Sequence, residues 1–337
     1  MPSLEHELAI ALAAVREAGR LCQAVQAGLD PGALTKGDRS PVTIADFGSQ
    51  ALICGSLAEA FPEDPVIAEE DAAALRRPDA APTRDRVVAE VARLRPAPDP
   101  ETVLGWIDHG NASAASPRFW ALDPIDGTKG FLRGDQYAVA LALILDGRFA
   151  LGVLGCPNLD PGALADGKIR SAAAAGGSLV YGIPGQGAWL LPLADPTARP
   201  SALRVSRQSD IRLARCCESV EAAHTAHGTS AKVSAALGIR VPATRVDSQA
   251  KYAAVAAGAA EAYLRLPSKP GYVEKIWDHA AGTAVVCAAG GQVTDIAGRP
   301  LDLGHGRLLA SNRGVVVTNG RLHAAMLGAI DQVLGAE

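Results

Sequence analysis

Leu4, Leu8, Ala11, Val15, Cys22, Val25 and Leu29 recur at a spacing near 3.6, which predicts an amphipathic helix from residue 4 to about 29. Ser3 stands where an N-cap would, and Glu5 and Glu7 fall in the first turn, where the helix dipole favours acids. Asp30, Pro31 and Gly32 end it. A second helix is predicted over residues 42–61, closed by Phe61-Pro62-Glu63-Asp64, and residues 65–68 form a short buried strand that runs into Glu69-Glu70-Asp71. Residues 72–118 lose this clarity. They are rich in Ala, Pro and Arg with weak periodicity, and read as an exposed insertion holding one or two short helices.

From residue 119 the pattern turns to strands. Residues 119–122 are apolar and end at an acidic cluster. Residues 137–145 and 148–155 flank Asp146-Gly147, a strong hairpin signal. A second strand pair is predicted at 177–182 and 187–191. The proline-bearing stretch 192–200 approaches a boundary. Beyond it strands (213–220, 244–246, 261–266, 315–318) alternate with helices (229–237, 250–257, 278–289), the last three ended by Gly238, Gly258 and Gly290-Gly291. That alternation marks an α/β layer structure.

The 337 residues suffice for roughly two domains at about 150 residues each. A formal charge of -4 offers no positive field for a phosphate backbone, so nucleic acid is not an expected partner. Six cysteines without zinc spacing read as reduced core thiols, adjacent Cys216 and Cys217 included. No signal peptide and no membrane span is evident, so a cytoplasmic location is expected. Nothing in the pattern sets an oligomeric state; a monomer is allowed.

The chemistry concentrates in Leu-Asp-Pro-Ile-Asp-Gly-Thr at 122–128. An apolar strand delivers Asp123 and Asp126, with the Ile125 carbonyl between them as a further oxygen. Hard divalent cations take such ligands. Gly127 lets the backbone approach a ligand, and the amides of Gly127 and Thr128 would face an anion. An ordinary strand-to-turn exit shares this composition. Three further acids weaken that plain reading: Glu69 after its strand, Asp46 among apolar and small residues of the second helix, and Asp278 in Lys-Ile-Trp-Asp-His at a helix start.

Together these segments resemble the lithium-sensitive, magnesium-dependent phosphatases of the inositol monophosphatase superfamily, most closely the 3′(2′),5′-bisphosphate nucleotidase branch. Residues 120–158 carry that likeness, with Ser40-Pro41-Val42-Thr43, Asp247-Ser248-Gln249-Ala250-Lys251-Tyr252 and residues 274–279. The resemblance implies an α/β fold, a layered α-β-α-β-α sandwich of the inositol monophosphatase and fructose-1,6-bisphosphatase type. Residues 1–208 would carry most metal ligands and residues 209–337 the nucleotide contacts and Asp278.

It also implies roles. Glu69, Asp123, Ile125, Asp126 and Asp278 would hold two or three Mg²⁺. Asp46 and Thr128 would orient and deprotonate the attacking water. Gly127, Thr128, Ser248, Lys251, Arg265 and His227 would hold a small nucleotide bisphosphate, with His224 an alternative to His227. The expected reaction removes the 3′-phosphate of 3′-phosphoadenosine 5′-phosphate, with the sulfated relative of that nucleotide left open as an additional or rival substrate. The rivals are the same chemistry on an inositol polyphosphate and a nucleotide sensor without turnover.

Overall fold

The computed structural model describes residues 3–28, 40–96, 98–172, 176–220, 227–267, 269 and 271–335. Its first layer pairs α1 (Glu5–Ala27) with α2 (Ser40–Ala60). Both bury small and branched side chains against one face of a seven-stranded sheet. The predicted cap is not used: Leu4 occupies the N-cap position of α1 and no side chain caps it, although Glu5 and Glu7 do sit in the first turn. Leu29 and the stop at residues 30–32 lie outside the described residues.

That sheet has the strand order β1-β2-β3-β4-β5-β6-β7. β1 (Val66–Ala68) runs parallel to β2 (Arg118–Asp126). The rest form an antiparallel meander of β3 (Ala138–Leu145), β4 (Arg148–Cys156), β5 (Ser178–Ile183), β6 (Gly187–Pro192) and β7 (Ser201–Leu203). The hairpin forms at Asp146 and Gly147, both with positive φ.

Between β1 and β2 the chain is not the exposed insertion that composition suggests. α3 (Ala81–Ala92) and α4 (Pro100–Asp108) bury Val87, Val91, Val103, Leu104 and Ile107 in the same core as α1 and α2. The apolar positions sit three or four apart on each helix, but Pro, Arg and Ala between them dilute the periodic signal. Pro100 at the first helical position and the Asp99 carboxylate, which accepts from the Thr102 amide, start α4.

Short α5 (Thr128–Arg133) follows β2, and α6 (Pro161–Ala165) follows β4. The second sheet has the order β11-β12-β10-β8-β9. Its strands are β8 (Cys216–Glu218), β9 (Thr244–Arg245), β10 (Ala262–Arg265), β11 (Gln292–Thr294) and β12 (Val315–Thr318). The strand expected over 213–220 shortens to β8, because residues 211–213 turn as a 3₁₀ helix capped by Asp210.

Between the two sheets lie α8 (Ala250–Ala256) and α9 (Ala280–Ala288), every described face of α8 being buried. One core joins Ala140, Leu154 and Val180 of the first sheet to Tyr252, Val285 and Val317 of this middle layer and the second sheet. α7 (His227–Ala236) and α10 (His323–Gly335) cover the outer face of the second sheet with Val233, Met326 and Ile330. The stack is therefore helix, sheet, helix, sheet, helix. Cys216 faces the outer core and Cys217 the middle one, so strand alternation turns these neighbours apart and both remain thiols.

Candidate active site

β2 carries its apolar run directly into the acids. Asp123 still pairs with Ala140 of β3, and the register then shifts before Asp126 pairs with Ala138. Pro124 sits inside this irregularity, where a missing amide costs no ladder bond. Ser49 of α2 donates to the Pro124 carbonyl at 2.9 Å and pins the bulge. Gly127 follows with φ +89, a region that strains any side chain, and a Cβ there would stand 2.9 Å from Ser248 Cβ. Gly127 opens α5, whose first residue is Thr128.

Glu69 follows β1, and the segment from 72 to 118 holds its loop in place. Gln50 of α2 donates to the carbonyls of Glu70, at 2.6 Å, and Ile107, at 2.9 Å, and accepts from the Glu70 amide at 3.1 Å. Asp108 at the end of α4 accepts from the Ala72 amide at 2.9 Å. Arg307, stacked 4.6 Å over the Trp277 ring, donates to the Glu69 carbonyl at 3.3 Å.

A cleft of about 410 Å³ collects most of the predicted residues. Glu69, Asp123, Ile125, Asp126, Gly127, Thr128, Ser248, Lys251, Arg265 and Asp278 all line it. Asp46 does not; it is buried within α2 behind the wall, close enough for Glu69, Glu70 and Asp123 to feel its charge. The side chains of His224 and His227 lie outside the described residues.

These acids crowd one another. Burial raises Asp123 well above the usual carboxylate range, and Glu69, Asp126, Asp278 and Asp46 push it further. Burial lifts Glu69 to about 7, with Glu70 and Asp126 adding to it. Burial also lifts Asp278 to about 7, with Asp126 and Glu69 adding and His279 and Arg265 opposing. Asp123 Oδ1 is buried and accepts no hydrogen bond. An orphaned carboxylate oxygen among like charges fits a cation, and an all-oxygen donor set fits Mg²⁺.

The opposite wall is basic and already engaged. Lys251 is buried; its Nζ donates to the Val246 carbonyl at 3.0 Å and lies 5.0 Å from the Tyr263 ring centre. Burial lowers this amine to about 8, against the raising influence of Asp126 and Asp247. Ser248 is not on the helix with Lys251, as the spacing suggested. It precedes α8 with φ +64, and both side chains still reach the cleft.

Arg265 leaves β10 to pair with Glu274 at 3.1 Å and Asp278 at 3.9 Å. Asp278 does not begin a helix: α9 starts at Ala280, and Asp278 stands in the loop before it. His279, read from sequence as a helix-start residue, is buried. Its Nδ1 lies 2.7 Å from the Tyr252 hydroxyl, and its Nε2 donates to Glu274 at 3.2 Å. Glu274, Asp278 and His279 bring ligand atoms within 4.8 Å of one another. Glu274 and His279, spent on Arg265, Tyr252 and each other, form a polar lattice around Asp278.

Sequence reasoning gave no role to Gln249, Glu274, Tyr272 or Arg133. Arg133 at the end of α5 forms an ion pair with buried Asp247, tying the β2–α5 turn to the segment before α8. Gln249, Asp247 and Glu274 lay inside the quoted motifs, but the partners of Gln249 and Asp247 are distant in the chain, and Glu274 pairs with Arg265 on a separate element.

The inositol monophosphatase family model matches residues 3–334. The 3′(2′),5′-bisphosphate nucleotidase of Emericella nidulans is 44% identical over 350 residues, covering 98% of this chain and 99% of that protein. The enzyme of the same name from Schizosaccharomyces pombe is 39% identical, covering 99% and 95%, and that of Oryza sativa 42%, covering 97% and 94%. Among solved structures, the IMPase of Thermotoga maritima aligns with TM-score 0.63 at 19% identity over 98% of each chain. An inositol monophosphatase from Anabaena aligns at 0.61 and 22% over 99% of each. At those identities the structures speak for the layered fold alone. The full-length match to the family model, together with relatives near 40% identity, establishes that this chain belongs to the inositol monophosphatase family.

Proposed function

We propose that this protein is a Mg²⁺-dependent 3′(2′),5′-bisphosphate nucleotidase that hydrolyses the 3′-phosphate of 3′-phosphoadenosine 5′-phosphate to AMP and phosphate. The carrying observation is the full-length likeness to relatives of that name, together with the acids that line the cleft of this chain. The sulfated nucleotide is a second substrate of the same site in this reading.

Glu69, Asp123, Asp126, Asp278 and the Ile125 carbonyl are the ligands we assign to two or three Mg²⁺. When bound, the ions would neutralise the scissile phosphate, activate water and stabilise the leaving oxygen. Asp46 and Thr128 are assigned to orient the attacking water and take up its proton. Asp46 is suited to that by burial and by Glu70 and Glu69, which raise its proton affinity. The turn at Gly127 and Thr128 presents backbone amides to the phosphate. Ser248, Lys251 and Arg265 form the wall that would hold the rest of the nucleotide, and His227 is the further contact we assign to it. Lys251 and Arg265 supply its positive charge. We read residues 1–208 and 209–337 as two units with the site at their seam.

The test is phosphate release from 3′-phosphoadenosine 5′-phosphate and from inositol 1,4-bisphosphate, each with Mg²⁺ and with EDTA. Mg²⁺-dependent release favouring the nucleotide is expected. A preference for the inositol compound would overturn the substrate, and binding of the nucleotide without release would make the protein a sensor.

A further inference from the structure

Three of the hydrogen bonds of buried Gln249 reach Asp126 and the chain on either side of Asp278. Its side chain is 1% exposed. Its backbone amide donates to Asp126 Oδ2 at 2.6 Å. Its Nε2 donates to the carbonyl of Trp277, the residue before Asp278, at 2.9 Å. Its Oε1 accepts from the Gly282 amide at 2.9 Å.

Gly282 is the third residue of α9, which begins at Ala280. The N-cap position of that helix is His279, and its side chain makes no capping bond. Gln249 therefore does from another segment what an N-cap side chain does locally: it satisfies one of the orphan amides of the first turn. Nε2 and Oε1 together hold the peptide chain on both sides of Asp278. The reverse orientation of the amide would set oxygen against the Trp277 carbonyl and N–H against the Gly282 N–H, so the two partners fix it. A shorter side chain could not span from residue 277 to residue 282, and glutamate would lack the donor that the Trp277 carbonyl requires.

We propose that Gln249 is a positioning residue whose side chain holds the chain around Asp278 against the Asp126 carboxylate that its backbone amide engages, and thereby sets the Mg²⁺ affinity of the site. This rests on the reading that those two acids are Mg²⁺ ligands. Residues that orient metal ligands commonly govern affinity by about 10–100-fold. Gln249 borders the cleft, and the role assigned to it acts through the two carboxylates.

The experiment follows the rise in Tm with Mg²⁺ concentration for wild type, Gln249→Ala and Gln249→Met. Methionine keeps the volume and apolar stem, so that variant stays folded if alanine leaves too large a cavity. Ser178→Ala serves as the control, since Ser178 Oγ donates in the buried interior to the Leu159 carbonyl at 2.8 Å. Both Gln249 variants are expected to need about 10–100-fold more Mg²⁺ for half-maximal stabilisation. Ser178→Ala is expected to lower Tm and leave that concentration unchanged. A Gln249→Met protein with lowered Tm and the wild-type Mg²⁺ midpoint would overturn the proposal and leave Gln249 as scaffold. A wild-type protein with no Mg²⁺ response would overturn the metal reading itself, which is a separate outcome.

Discussion

Asp123 shows what a single residue reveals. Its place between an apolar strand and Asp126 marks it in the sequence as a ligand candidate; its orphaned Oδ1 and four acidic neighbours appear once the chain is folded. Crowding of this kind has a pH signature. Glu69 and Asp278 sit near 7 in the folded chain, against about 4 when unfolded. Between those values the folded state binds more protons than the unfolded one, so their contribution to stability falls as pH rises through that window. Mg²⁺ needs the ionised carboxylates and removes their repulsion. The gain in Tm on replacing EDTA with Mg²⁺ is therefore expected to grow from pH 5 to pH 8. Half-buried His109 and buried His323, whose proton affinity burial lowers, also change stability with pH, but they are common to both conditions and cancel in that gain. A gain equal at both pH values would contradict the crowding. Gln249 and Glu274 were not legible at this scale, because what defines them is a partner on another segment.

Elements were read well where one face carries all the apolar positions. α1 and the β3–β4 hairpin emerged near their true bounds because periodicity and turn chemistry agree there. Residues 72–118 hold the short helices expected of them, as α3 and α4, but their burial was missed because their apolar residues are few and embedded in Ala, Pro and Arg. Their burial depends on a groove that α2 supplies from elsewhere in the chain. Asp278 was placed on a helix because an acid before an apolar run resembles an N-cap; the cap of α9 comes instead from Gln249. The packed role of α4 is testable. Ile107 is fully buried, and its carbonyl accepts from Gln50, which also holds the Glu69–Glu70 loop. Ile107→Ala is expected to cost about 2–5 kcal/mol in urea unfolding. A loss below about 0.5 kcal/mol, typical of surface substitutions, would restore the exposed-insertion reading.

At the scale of the molecule, both sheets and the helix layer between them meet at one cleft. The first sheet delivers Glu69 from the end of β1 and Asp123 and Asp126 from the end of β2. The middle layer delivers Lys251 on α8 and Asp278 from the loop before α9. The second sheet delivers Arg265 at the end of β10. The order of layers was legible through a family resemblance, since alternation of strands and helices alone names only the class. Among the described residues no helix is long and apolar enough to cross a membrane. What the layers achieve is proximity of like charges that no small segment could hold, stabilised by a core that runs between the sheets.

That account is tested most directly by phosphate release from 3′-phosphoadenosine 5′-phosphate, comparing wild type with Asp123→Asn at saturating Mg²⁺. Thermal melts in EDTA should run beside it to show that both proteins are folded. Asparagine keeps the shape of the side chain and removes one charge from the cluster. The variant is expected to melt no lower than wild type in EDTA at pH 8, because a repelling charge has gone. Its turnover is expected to fall by about a thousandfold or more, consistent with loss of several kcal/mol of electrostatic stabilisation. A folded Asp123→Asn protein that releases phosphate at near wild-type rate would contradict the claim that this carboxylate cluster is the catalytic centre.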